Sequence, residues 1–149
     1  MQLQKEVHTS RFQNNHQQAL VNIIYTYSWA SQKIKEILVP YNLTQQQYNV
    51  LRILRGQYPS PSTINLIKSR ILDKTSDTSR IVDRLVEKKY LEKTTNARDK
   101  RAVDIVITDR GLSLLKKLDK EVDFSSLIVP HITDDEAKDL NVLLDKLRG

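Results

Sequence analysis

A chain of 149 residues with 39% hydrophobic and 28% charged residues has enough apolar material for one packed domain, which excludes wholesale disorder. No apolar run approaches the roughly 20 residues needed to cross a bilayer, and Met1–Glu6 has no apolar signal core, so neither a membrane partner nor a secretory signal is expected. The absence of Cys removes disulfides, thiol catalysis and thiol sensing and fits a reducing cytoplasm, while the net charge of +6 allows a polyanionic partner.

The positive charge is unevenly placed. Residues 1–59 carry 6 Lys/Arg and 2 Asp/Glu, residues 60–111 carry 12 and 8, and residues 112–149 carry 6 and 8. The first periodic segment runs from Asn15 to Val39, with Leu20, Ile23, Tyr27, Ala30, Ile34 and Leu38 spaced by three and four. That spacing predicts an amphipathic helix ended by Pro40. At about 25 residues it would be roughly 37 Å long, more than a small domain needs, and its stripe therefore calls for a partner chain.

Thr44 with Gln47 three residues on predicts a capping box opening a second helix, with Tyr48, Leu51 and Leu54 inward and Gly56 as its stop. Tyr58–Ser62 reads as a turn or short extended link. A third helix is predicted over Thr63–Ile71, and a fourth, capped by Thr75 or Ser76, runs to Lys89. Leu91–Thr94 and Ala102–Ile107 then read as two strands of a hairpin tipped by Arg98, Asp99, Lys100 and Arg101. Thr108 caps a fifth helix, and Thr133–Glu136 is a second capping box before the last.

Three short helices followed by a basic hairpin is the plan of a winged helix-turn-helix. The fold class is thus mainly α with a small β-hairpin wing, and the helices at both chain ends are left to build a dimer. On a helical wheel, Thr78, Ile81, Val82, Leu85 and Val86 fall on one side of the fourth helix. Ser76, Asp77, Arg80, Asp83, Arg84 and Glu87 fall on the other. An arginine on such a face can donate two hydrogen bonds to guanine, and hydroxyls and amides at the helix start suit phosphate. The plainer alternative is a surface helix with Arg80–Asp83 and Arg84–Glu87 pairs. The hairpin supplies Arg98, Lys100 and Arg101 for a minor groove and Lys93 for a phosphate, where the plainer reading is a solvated turn.

The stretch Ile71-Leu72-Asp73-Lys74-Thr75-Ser76-Asp77-Thr78-Ser79-Arg80-Ile81-Val82-Asp83-Arg84-Leu85 resembles the recognition-helix pattern of the multiple antibiotic resistance regulator (MarR) family of winged-helix transcription factors. Glu87-Lys88-Lys89-Tyr90-Leu91, Asp99-Lys100-Arg101 and Ile107-Thr108-Asp109-Arg110-Gly111 match further family motifs, and the close resemblance covers Leu43 to Gly111. It implies a sequence-specific regulator of double-stranded DNA, a homodimeric repressor on a palindromic operator. Residues 10–40 and 112–149 would be dimerisation helices and residues 41–111 the DNA-binding lobe of a single 149-residue unit. Thr75, Ser76, Asp77, Ser79, Arg80, Arg84, Lys93, Arg98, Lys100 and Arg101 would face DNA. Asp99 would pair with Arg84 or Arg80, and Arg101 would enter the minor groove.

The resemblance also implies a small aromatic effector bound between the dimer region and the DNA-binding lobe, for which Tyr25, Trp29, Tyr41 and Tyr48 are candidates. Those aromatics equally suit a core. Tyr90 stands where the family has Gly, so the exit from the fourth helix is expected to differ. His8, His16 and His131 lack ligand spacing, and no metal or cofactor is expected. No phosphate loop or catalytic triad is legible. His131 lies near Asp134 and Asp135, but these suit a helix N-terminus. An enzyme is therefore not expected, and the alternative to a DNA reader is a winged-helix protein-interaction module.

Overall fold

The computed structural model describes residues 2–7 and 11–149, so His8 lies outside the described residues. It contains α1 (Leu3–Glu6), α2 (Asn15–Leu38), α3 (Gln45–Gln57), α4 (Ile64–Arg70), α5 (Thr78–Glu87), β1 (Leu91–Thr95), β2 (Val103–Ile107), α6 (Asp109–Glu121) and α7 (Asp134–Arg148). The fold is mainly α with one antiparallel hairpin, as the sequence pattern indicates. No described helix is long and apolar enough to cross a membrane.

The chain forms two compact units. One comprises residues 1–34 and 123–149, the other residues 35–122. In the first, Thr133 accepts from Glu136 N and Glu136 closes the box on Thr133 N at 2.8 Å. That backbone bond, with the Thr133 side chain, holds the Glu136 carboxyl below its ordinary range. The apolar side chains of α7 are not absorbed: Leu143 is 62% and Leu147 60% exposed. Ile24 on α2 is likewise 60% exposed. Short α1 and a 3-10 turn over Phe124–Leu127 have too few residues to show a period and were not legible in the sequence.

In the second unit, α3 packs against α4, α5, α6 and β2. Val50, Leu51 and Leu54 of α3 meet Ile67, Val82, Leu85 and Leu115 in a fully buried core. Tyr48, predicted inward, is only half-buried, and the buried residues of α3 are Gln47, Val50, Leu51 and Leu54. The Thr44–Gln47 capping box forms as expected. Gly56 does not stop α3, which runs through it to Gln57. The stop is Tyr58, whose φ −55° and ψ 137° are the extended geometry that Pro59 imposes on the residue before it. Ser62 then bridges to Ile105 through two backbone bonds of 2.8 and 2.9 Å, adding a third short extended piece beside the hairpin.

The start of α5 also differs from expectation. Its N-cap is Asp77, whose Oδ1 accepts from Arg80 N, rather than Thr75 or Ser76. Three good capping residues stand in a row here, and the carboxylate is favoured by the positive end of the helix dipole. The helix ends at Glu87, two residues short of the predicted Lys89. Lys89 takes φ 64°, Lys89 N donates to Val86 O, and Tyr90 N donates to Leu85 O. These paired bonds form a Schellman turn whose left-handed residue is Lys89. Tyr90 therefore needs no positive φ, and the cost anticipated there falls one residue earlier. Lys89→Gly is expected to stabilise the protein by about 0.5–1 kcal/mol, because glycine adopts this conformation freely. A urea midpoint equal to or below the parent's would contradict it.

Candidate nucleic-acid interface

The geometry of the helix-turn-helix is set by short-range bonds. Thr63 Oγ1 caps α4, and at the other end Lys74 Nζ donates to the Lys68 and Ser69 carbonyls. Leu72 N donates to Asn49 Oδ1 of α3 at 2.9 Å, fixing the turn to the helix behind it. Asp73 Oδ1 accepts from Thr75 Oγ1 at 2.6 Å and Thr75 N at 3.0 Å. The Thr75 bonds, side chain first, hold the Asp73 carboxyl below its ordinary range, against a smaller opposing effect of burial.

This turn spends some of the hydroxyls expected to meet phosphate. Thr75 Oγ1 donates to Asp73, and Ser76 Oγ is shielded from solvent. Ser79, Arg80 and Arg84 are exposed on α5, while Thr78, Val82 and Leu85 are buried beneath. The exposed face borders an open cleft of about 420 Å³, lined by Thr44, Gln46, Asp77, Arg80 and Arg84 among others. Gln46 and Asn49 lie outside the sequence-derived site; on a helix that also carries Gln45, Gln47, Arg52 and Arg55, no signal in the sequence singles them out.

The cations of this surface divide into paired and unpaired. Arg84 Nη1 meets Glu87 at 3.1 Å, as the surface-helix alternative anticipates. Asp83 does not pair with Arg80. It holds Lys93 Nζ of β1 at 2.7 Å, tying the root of the hairpin to the exposed face of α5. The Asp99–Arg84 bridge does not form in this structure, because each partner has a nearer one: Glu87 is one turn from Arg84, and Asp99 Oδ1 accepts from Arg101 N at 2.9 Å. Among the described residues, Arg80, Arg98, Lys100 and Arg101 have no ion-pair partner.

The hairpin pairs Leu91 with Ile107 and Thr95 with Val103. Its tip is ordered by Asn96, whose Oδ1 accepts from Arg98 N at 2.8 Å and Asp99 N at 3.0 Å while its Nδ2 donates to Asp104. The local turn thus presents three exposed cations on a braced backbone. The root is braced too: Lys88 Nζ donates to Asn42 O and to Gln47 Oε1, and partial burial lowers its pKa.

The four aromatics considered for a ligand are divided. Tyr25 and Trp29 line a cavity of the first unit. Tyr41 OH donates to Glu121 at 2.5 Å, which with burial raises its pKa, and Lys117 lies 5.7 Å from its ring. Arg52 lies 5.8 Å from the Tyr48 ring.

Comparison with known proteins agrees with this geometry. The model of the MarR family matches residues 41–102, the span from just before α3 to the wing tip. A MarR transcription factor from Planctomyces limnophilus is 31% identical, with 91% of this chain and 98% of that one covered and a TM-score of 0.69. A mutant of MarR from E. coli in complex with operator DNA shares the fold at 24% identity, with 99% of each chain covered and a TM-score of 0.73. An organohalide-sensing transcriptional regulator in its 2,4-dichlorophenol-bound form shares it at 22% identity, over 91% of this chain and 80% of that one, with a TM-score of 0.81. No curated protein matches significantly. With 31% identity to the Planctomyces limnophilus regulator over nearly the whole of both chains, and the family model lying on the helix-turn-helix and wing, the chain belongs to the MarR family of transcription regulators.

Proposed function

We propose that this chain is a sequence-specific reader of double-stranded DNA that works as a homodimeric repressor on a palindromic operator. In this reading α5 enters the major groove, Arg80 reads a base, and the wing lays Arg98, Lys100 and Arg101 along the adjacent minor groove. Residues 10–40 and 112–149 make the dimer, and residues 41–111 form the reading lobe. Thr75, Ser76, Asp77, Ser79, Arg84 and Lys93 border the contact. The observation that carries the reading is the 2.7 Å Lys93–Asp83 pair, which sets the root of a cationic wing against the exposed face of α5. The operator complex of the E. coli relative supports it. The dichlorophenol complex of the other relative supports release by a small organic effector.

Selection of bound duplexes from a random pool tests the reading and reveals the site together. On the selected duplex, Arg80→Ala is expected to cost about 2 kcal/mol and relax one base position. Arg101→Ala is expected to weaken all duplexes alike and to lower the salt slope by about 0.9. Parent-like binding by both variants would remove α5 and the wing from the interface. The second reading, a protein-binding module, draws on Asp83 and Glu87 neutralising two of the surface cations. It is the one favoured if no duplex is selected and binding to a partner is insensitive to salt.

A further inference from the structure

The first unit contains a cavity of about 290 Å³, at the small end of the range for ligand sites. Leu3 forms a buried part of its lining, Tyr25 and Trp29 contribute aromatic rings, and Asn22, Glu6 and His131 complete it with Thr26. All of these residues belong to one unit. The cavity is therefore a different place from the effector position between dimer region and DNA-binding lobe that the family resemblance implies.

Its chemistry has a sign. Glu6 is the one carboxylate in the lining, and neither Lys nor Arg lines it. Glu6 accepts one hydrogen bond, from Tyr25 OH at 3.2 Å, and has no ion-pair partner among the described residues. Aromatic ring faces are themselves negative, so two rings and a carboxylate with no ion-pair partner among the described residues favour a cation over a carboxylate or phenolate. Burial is the largest cause raising the Tyr25 pKa, ahead of its bond to Glu6, so the phenol remains a neutral donor beside the acid.

On α2 the cavity residues and the exposed apolar residues lie on different sides. At about 100° per residue, Asn22, Tyr25, Thr26 and Trp29 point roughly opposite to Leu20, Ile24 and Tyr27 on α2. Leu20, Ile24 and Tyr27 are exposed large apolar side chains.

The geometry points to this cavity as a binding site for a compact organic cation, an aromatic or alkyl ammonium held by Glu6 and flanked by Tyr25 and Trp29. This site goes beyond the effector reading, since it lies elsewhere and takes the opposite charge, and it rests on the proposed function only for its consequence at DNA. Trp29 is the sole tryptophan of the chain, so its fluorescence reports the cavity directly. Titration of the full chain with phenyltrimethylammonium is expected to change that fluorescence saturably, and benzoate is expected to leave it unchanged.

Glu6→Gln is expected to weaken the cation about tenfold. Tyr25→Phe keeps the ring and frees the carboxylate, so it is expected to retain binding. Benzoate binding as well as the cation, full affinity in Glu6→Gln, or lost binding in folded Tyr25→Phe would each overturn the proposal. Binding is read without DNA, so its failure leaves the operator reading intact; release from a selected duplex, measured separately by anisotropy, tests the effector reading alone.

Discussion

A chain carrying Leu143→Glu and Leu147→Glu is expected to sediment as a monomer and to lose operator affinity by about 100- to 10,000-fold. The physical reason begins on α7. Leu140, Leu143 and Leu147 lie within one side of the helix, and all three are exposed, as are Leu20, Ile24 and Tyr27 on α2. Exposed leucines scattered singly need no explanation, but apolar stripes on two helices of one unit are what the proposed dimer would bury. Because these side chains are not buried within the chain, replacing them costs the isolated protomer little. Glutamate is as good a helix former as leucine to within a few tenths of a kcal/mol, so α7 itself should persist. In a dimer, however, four added carboxylates would be desolvated in an apolar seam without partners.

The effect on DNA follows from linkage. In a dimer on a palindrome, the second half-site is met at a high effective concentration, and separating the protomers loses that gain, about 10² to 10⁴ in affinity. Analytical ultracentrifugation and operator titration check the two parts. A double variant that stays dimeric would move the interface off α7. One that is monomeric yet binds the operator like the parent would refute the two-site geometry.

What could be read from sequence was mostly local. The Thr44–Gln47 and Thr133–Glu136 capping boxes formed as predicted because every partner lies within three residues. The amphipathic split of α5 held for the same reason, with Thr78, Val82 and Leu85 buried below exposed Arg80 and Arg84. The failures have different causes. Asp77, Ser76 and Thr75 are all competent caps, and composition does not rank neighbours. Gly56 looked like a stop, but a helix tolerates an exposed glycine and yields to the restriction before Pro59. The positive φ fell on Lys89 rather than Tyr90 through turn geometry that a single sequence does not display.

The longer-range pairings were hidden altogether. Lys93 read as a phosphate contact, and its partner Asp83 sits ten residues away across a turn. Ser62 joins Ile105 from the far side of α4 and α5. Neither is set by periodicity. Exposure of the α2 and α7 stripes was foreshadowed in two ways: α2 is longer than one small domain can cover, and the helices at both chain ends are left over from the winged helix-turn-helix plan.

The same substitution at two glycines should give opposite results. Gly56→Ala is expected to stabilise the protein by about 0.5–1 kcal/mol, since Gly56 lies within α3 and a Cβ there meets nothing within 4 Å. Gly111→Ala is expected to destabilise it by about 3 kcal/mol. A Cβ at Gly111 would lie 2.6 Å from Tyr90 O and 2.7 Å from Ile107 Cγ1. Neither neighbour is free to yield. Tyr90 O already accepts from Thr108 N at 3.0 Å, Thr108 Oγ1 donates to Lys89 O at 2.8 Å, and Gly111 N donates back to Thr108 Oγ1 at 3.1 Å. Ile107 is locked in β2 opposite Leu91, both buried.

Gly111 thus lets the start of α6 approach the exit of α5 and the base of the wing. Forcing that contact apart would also shift the wing relative to the reading helix. Folded Gly111→Ala is therefore expected to lose DNA affinity at temperatures well below its melting point, which a purely global loss of stability would not produce. Urea unfolding of both variants, with operator titration of Gly111→Ala at low temperature, checks the pair. Equal midpoints for the two alanine variants would show that the close approach at Tyr90 relaxes without cost.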